Sequence, residues 1–265
     1  MSDRPPSQNQ LSTGYETPAS QGPPQAALPV PQEAQTPTVT YAMLAMTGFA
    51  FLLQLMGPQI FGFDLLLEIG IKENGLIAAG QLWRLFTPMF LHGSIPHFMF
   101  NMYALFVFGR TLEPYYGHTR FLALYLITGF AGNVFSMMLT EAPSLGSSTA
   151  IFGLLGAEGV FLYQNRKLLG RRGRQALNQL ITVAILNLVI GLSPQIDNWG
   201  HIGGLTAGVL FAWFAGPLIE VQGIPPNASI VDTRHKSRVT TTALWVAALF
   251  ALLAFVTIAF RSGFF

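Results

Sequence analysis

With 265 residues, of which 51% are hydrophobic and only 10% charged, and a mean hydropathy of +0.45, the chain is too apolar for an ordinary soluble domain and reads as a polytopic membrane protein. Its pI near 9.0 does not point to nucleic acid, because the basic residues gather between apolar runs and form no stripe with interleaved aromatics. The absence of cysteine excludes disulfides, a thiol nucleophile and thiolate metal sites, and no two histidines stand one helical turn apart, so no metal and no cofactor are expected.

Residues 1–37 are rich in Pro, Gln, Ser and Thr and poor in large apolar groups, which predicts a disordered cytoplasmic tail. They lack the basic region, apolar core and small-residue site of a secretory signal. Apolar runs of bilayer-crossing length then recur, at Thr38 to Gly57 or a little beyond, His97–Tyr116, Arg120–Leu139, Ser148–Gln164, Ala176–Leu192, Gly200–Ile219 and Thr242–Phe260. The expected fold is all-α, a polytopic helical bundle. Its parts are a six-span core over 38–219, a cytoplasmic linker over 220–241 and a seventh span within 242–265.

Orientation follows from the basic residues. With the tail cytoplasmic, eleven fall inside (Arg4, Arg110, Arg120, Arg166, Lys167, Arg171, Arg172, Arg174, Arg234, Lys236 and Arg238), and only Lys72, Arg84 and Arg261 fall outside. The expected loop Arg166–Arg174 is the strongest anchor. In this arrangement the second, fourth and sixth spans all enter from the outer face. Their first turns carry His97, Ser148 and His201, so three groups useful to chemistry share one depth.

The stretch Gly146-Ser147-Ser148-Thr149 opens the fourth span and has two readings. A serine there caps the helix, or its hydroxyl is a nucleophile set where unpaired N–H groups and the helix dipole stabilise an oxyanion. Ser148, Phe152 and Gly156 share one helix face, and His201, Gly204 and Gly208 share another. Small residues at such intervals let membrane helices approach closely, which would carry the Ser148 hydroxyl towards a ring nitrogen of His201. Histidine titrates in the right range to deprotonate serine, so the implied chemistry is acyl transfer. His97 and Asn101, one turn apart, either donate to the oxyanion beside the Ser148 N–H or hydrogen-bond between helices. Asp197 is either a third triad member or a turn former.

Four pieces, in order, make the chain resemble the rhomboid intramembrane serine proteases. They are Trp83-Arg84, then His97 with Asn101, Gly109 and Glu113, then the serine stretch from Gly146, then His201 with Gly204 and Gly208. The resemblance covers about Tyr41 to Pro217. It implies a six-span core with a water-filled site open to the outer face, a Ser148–His201 dyad without an acid, and an oxyanion hole of His97, Asn101 and the Ser148 amide. It also implies Phe152 packed beneath the histidine, Trp83 and Arg84 in a loop partly in the outer leaflet, and Glu113 holding structure at the cytoplasmic end of the second span. The fifth span becomes a lateral gate. Two residues depart from the family pattern: Thr149 where glycine is usual and Gly200 where alanine is common.

Glu158, ten residues below Ser148, is expected to pair with Asn187 or Asn133 or to reach the interface beside Arg166. Phe121, Tyr125 and Phe130 are read as lipid-facing or packing residues. The expected function is an intramembrane serine endopeptidase acting on transmembrane or membrane-adjacent segments of other proteins near the outer face, in the plasma membrane of a bacterium. Its partners would be those transmembrane protein substrates and the lipid bilayer, without nucleic acid or metal. The alternatives are a non-catalytic relative that binds client helices, and a transporter. The transporter is disfavoured because the spans show no inverted duplication or paired broken helices.

Overall fold

A computed structural model describes residues 36–223 and 228–263, so the expected tail lies almost wholly outside the described residues. Helix α1 (Thr38–Phe61) leads into an irregular segment with α2 (Leu65–Gly70), α3 (Asn74–Ala78) and two 3-10 turns (Leu82–Leu85 and Thr87–Phe90). The long helices α4 (Ile95–Tyr116), α5 (His118–Leu139), α6 (Ser148–Gln164), α7 (Arg166–Ile190) and α8 (Asn198–Ala215) follow. Strands β1 (Ile219–Gln222) and β2 (Ser229–Asp232) then precede α9 (Lys236–Arg261). The fold is an all-α bundle carrying one small antiparallel hairpin, in register from Ile219 opposite Asp232 to Gln222 opposite Ser229.

Helices α5, α6 and α8 form the centre, with α6 packed most closely on α8. The faces are set by residue size. Phe121, Tyr125 and Phe130 of α5 are buried with Leu154, Ala157 and Phe211, so they pack inside and do not face lipid. The outer surface instead exposes Phe49, Leu52, Phe100, Tyr103, Leu244 and Phe255. A bundle with an apolar exterior finds its solvent in hydrocarbon. Among the described residues three helices, α1, α5 and α9, are long and apolar enough to cross a membrane by length and composition alone. The other four long helices fall short of that measure because α6 has 17 residues and α4, α7 and α8 carry His, Asn, Gly or a basic foot.

Three boundaries differ from expectation, the first being that α9 starts at Lys236, inside the expected linker, because the stretch after the hairpin already favours helix. The sixth span ends at Ala215, because Gly216 and Pro217 cannot continue the helix, and Ile219 already belongs to β1. The basic stretch Arg166–Arg174 is helical and not a loop, broken only by Gly170 at φ 56° and ψ −138°, a conformation that only glycine adopts readily. Lys and Arg are good helix formers, and charge alone does not interrupt a helix. Apart from Gly173, α7 buries no residue fully, and it packs along α6.

Candidate active site

The short loop after α5 ends at Gly146, whose φ of 127° suits glycine and whose N–H donates to the Pro88 carbonyl at 2.9 Å. A Cβ here would stand 2.8 Å from the His97 ring and 3.6 Å from Ser148 Oγ, so the bare backbone lets the α4 imidazole lie against the start of α6. Neither serine caps the helix. Ser147, at the N-cap, makes no side-chain capping bond, and its Oγ lies 3.4 Å from His92 Nε2. Ser148 Oγ lies 3.0 Å from His201 Nε2.

Close approach of α6 and α8 makes this meeting possible. A Cβ on Gly204 would overlap the Thr149 carbonyl, and one on Gly208 the Gly153 carbonyl. The His201 ring lies parallel to Phe152, with centroids 4.2 Å apart and planes 9° apart, so the imidazole has one aromatic wall and one hydroxyl partner. His201 Nδ1 has no protein hydrogen-bond partner among the described residues. Asp197 does not supply one: its Oδ1 accepts from the Gly200 N–H at 2.9 Å and caps α8, so the acid is a turn former and not a triad member.

His97 is half-buried, and its N–H meets Ser94 Oγ at 3.3 Å. Asn101 lies one turn below, 7% exposed, with its amide donating to the His97 carbonyl at 2.9 Å. The structure therefore brings His97, Ser148 and His201 to one end of the bundle, while the Asn101 amide is engaged within its own helix. A cavity of about 300 Å³ opens there, walled by Gly93, His97, the 140–145 loop and the 194–197 loop.

The remaining expected residues hold the frame. Trp83 is half exposed and donates to the Ile69 carbonyl at 2.9 Å. Arg84 is buried and ties the irregular segment together through Gln81 Oε1, the Ile71 carbonyl and the Glu68 carbonyl at 2.7–2.8 Å. Glu113 sits sixteen residues after His97, about 24 Å along α4. Its buried carboxylate accepts from the Val39 and Thr40 N–H groups and the Thr40 hydroxyl at 2.6–2.8 Å, and lies 2.6 Å from His118 Nδ1. Glu158 meets none of its expected partners. Asn133 donates to the Leu85 carbonyl, Asn187 to the Val183 carbonyl, and Arg166 to the Tyr163 carbonyl.

Two groups near the site are not evident from sequence reasoning. His92 is 2% exposed, edge-on to His97 with centroids 5.0 Å apart; burial, and then the neighbouring His97, hold its imidazole down at about 3. Lys72 is fully buried with Nζ on the Ala142 carbonyl at 2.9 Å, and burial lowers its pKa to about 8. The signal for His92 was its place five residues before His97. Lys72 carries no local signal, because its partners lie some seventy residues away.

Fold and site together define an integral membrane protein whose central helices present a serine and a histidine to each other. The family model described as "Rhomboid domain" matches residues 79–218, and the chain belongs to the rhomboid family. It is 38% identical to the Rhomboid protease GluP of Bacillus subtilis (strain 168) over 215 residues, which is 81% of this chain and 40% of that protein. It is 36% identical to RHOMBOID-like protein 5 of Arabidopsis thaliana over 190 residues, 69% of this chain and 59% of that one. It is 40% identical to RHOMBOID-like protein 6, mitochondrial, of the same plant over 154 residues, 58% and 49% of the two chains. The chain thus spans about half the length of the curated relatives it matches.

Proposed function

We propose that this chain is an intramembrane serine endopeptidase that cleaves transmembrane or membrane-adjacent segments of other membrane proteins. The 3.0 Å approach of Ser148 Oγ to His201 Nε2 carries this reading, because a serine is inert until a base takes its proton. Ser148 attacks the carbonyl carbon while His201 accepts its proton at Nε2. The oxyanion forms beside the first N–H groups of α6, where the helix dipole is favourable, and within reach of the His97 ring. His201 then protonates the leaving amine, and a water activated by the same imidazole releases the acyl group from Ser148.

The 300 Å³ cavity beside the dyad supports access by an extended peptide, since most of its wall is two loops, closed by Gly93 and by His97 in the first turn of α4. A substrate bond must leave its helix to react, because a helix hides its carbonyls in internal hydrogen bonds. The substrates should therefore carry helix-weakening residues near the cut. Helix α7, which packs along α6 and apart from Gly173 buries no residue fully, suits the gate through which such a segment enters. The eleven-to-three division of basic residues supports a cytoplasmic start of the chain and a site at the outer face, and similarity to a Bacillus protein supports a bacterial plasma membrane.

Ser148→Ala and His201→Ala are each expected to lower cleavage of a model transmembrane substrate in detergent by roughly 10³-fold or more while leaving the fold intact. Ser148 should react with a fluorophosphonate probe in the wild type and not in either variant. Full activity in either variant overturns the assignment, and an unlabelled wild type identifies a non-catalytic binder of client helices.

A further inference from the structure

Helix α9 lies beyond the region that matches the family model, yet its last residue holds the loop that walls the cavity beside the active site. Arg261 grips the Glu141 carboxylate with two bonds, Nη1 to Oε2 at 2.9 Å and Nη2 to Oε1 at 2.7 Å, and donates to the Met137 carbonyl at 2.9 Å. Glu141 sits in the 140–145 loop, whose other residues line the cavity and which continues into Gly146 and Ser148.

The same loop is held from behind by two residues of the irregular segment. Asn74 Nδ2 donates to the Thr140 carbonyl at 2.8 Å and to Glu141 Oε2 at 3.1 Å. Lys72 Nζ donates to the Ala142 carbonyl, and its backbone exchanges two bonds with Ser144 at 3.0 and 3.1 Å. None of Lys72, Asn74 or Arg261 lines the cavity, so their bonds shape the loop and not the substrate directly. Glu141 is 78% exposed on its side chain, and an exposed ion pair contributes little to global stability. A planar guanidinium held at two points nonetheless fixes direction as well as distance. The pair therefore acts on where the loop stands.

We propose that the C-terminal helix is a tether for the substrate-facing loop, with Arg261 as a positioning residue that acts through Glu141 to hold the cavity wall open for an extended segment at Ser148. The inference rests on the proteolytic reading above and adds a function for a helix outside the matched domain. Loosening the loop should weaken binding of a polypeptide that lies along it, while a small probe that needs only Ser148 and His201 should be unaffected.

The test compares Arg261→Ala, Glu141→Gln and the reversal Arg261→Glu with Glu141→Arg in the full chain. The single variants should raise KM for a transmembrane substrate by roughly three- to tenfold with kcat within about twofold, and the reversal should recover most of the loss. Labelling of Ser148 by the fluorophosphonate should proceed at the wild-type rate in all three. Hydrogen exchange at the Ser144 amide, which donates to Lys72, should quicken in the single variants and slow again in the reversal. Unchanged exchange overturns the tether whatever the activity. Faster exchange with unchanged KM overturns its role in substrate binding. Slower labelling together with a lower kcat shows general loosening of the site and overturns it as well. Failure of the proteolytic reading would appear separately, as an unlabelled wild type with quickened exchange still present in the variants.

Discussion

Thr149, one residue past Ser148, is 4% exposed, and its Cγ2 lies 3.1 Å from where a Cβ on Gly200 would stand. Rhomboids usually carry glycine and alanine at these two places, so bulk and bare backbone have been exchanged across the α6–α8 contact. The two departures are one accommodation. Gly200→Ala should destabilise the protein by roughly 1–3 kcal/mol through overpacking, and adding Thr149→Gly should restore part of it, with a coupling of about 1 kcal/mol. Restoration stays partial because Asp197 Oδ2 also lies 2.8 Å from that Cβ position. Thermal melts of the four proteins in detergent measure the coupling, and strictly additive losses would refute it.

His92 makes acid the vulnerable side of the pH range. Its imidazole takes a proton only at about 3 in the folded chain, against 6.5 when free, so between these values the unfolded chain binds a proton that the native site refuses. Stability is complete above 6.5 and falls by about 1.4 kcal/mol per unit as the pH drops towards 3. Glu141, held down at about 2 by Arg261 and then Asn74, acts in the same direction at lower pH, weakly because it is exposed. His92→Phe, placed between Phe51 and Phe98, should flatten the dependence of the melting temperature between pH 7 and 4. An unchanged slope would assign the acid sensitivity elsewhere.

At the scale of elements, the meeting of Ser148 and His201 was legible because it follows from two regularities. Hydropathy marks the spans, and three spans that run the same way put their first turns at one depth. The glycines at 204 and 208 supplied the closeness, since spacing alone identifies a face that a neighbour can press against. Less could be read where long-range contacts decide the outcome. The hairpin of β1 and β2 lay hidden in an expected linker, although Ile230 and Val231 favour extended backbone. The helical foot of α7 resembles a loop because its charges serve as topology signals as well as helix formers. The place of Glu158 near the inner end of its span suggests Asn133, Asn187 or Arg166 as partners, and each of these turns to a backbone carbonyl that no local pattern reveals.

Over the whole molecule, α9 is fastened along its length. Near its start, the Arg234 Nε–H donates to the Gly216 carbonyl at 2.8 Å, and Asp232 pairs with Arg120 at 2.9 Å. Along its middle Thr242, Val246, Phe250 and Ala254 form a buried stripe at intervals of four, and Val246 and Phe250 join Phe130, Ala131 and Ala207 in a common core. At its far end stands Arg261. A helix secured at three levels has little need of the covalent thread that delivers it. Two separately encoded pieces, 1–223 and 228–265, are expected to find each other in the same membrane and purify as one complex, with the shorter piece retained by a tag on the longer. Recovery of the longer piece alone would mean that chain continuity, and not the fastenings, keeps the last helix in place.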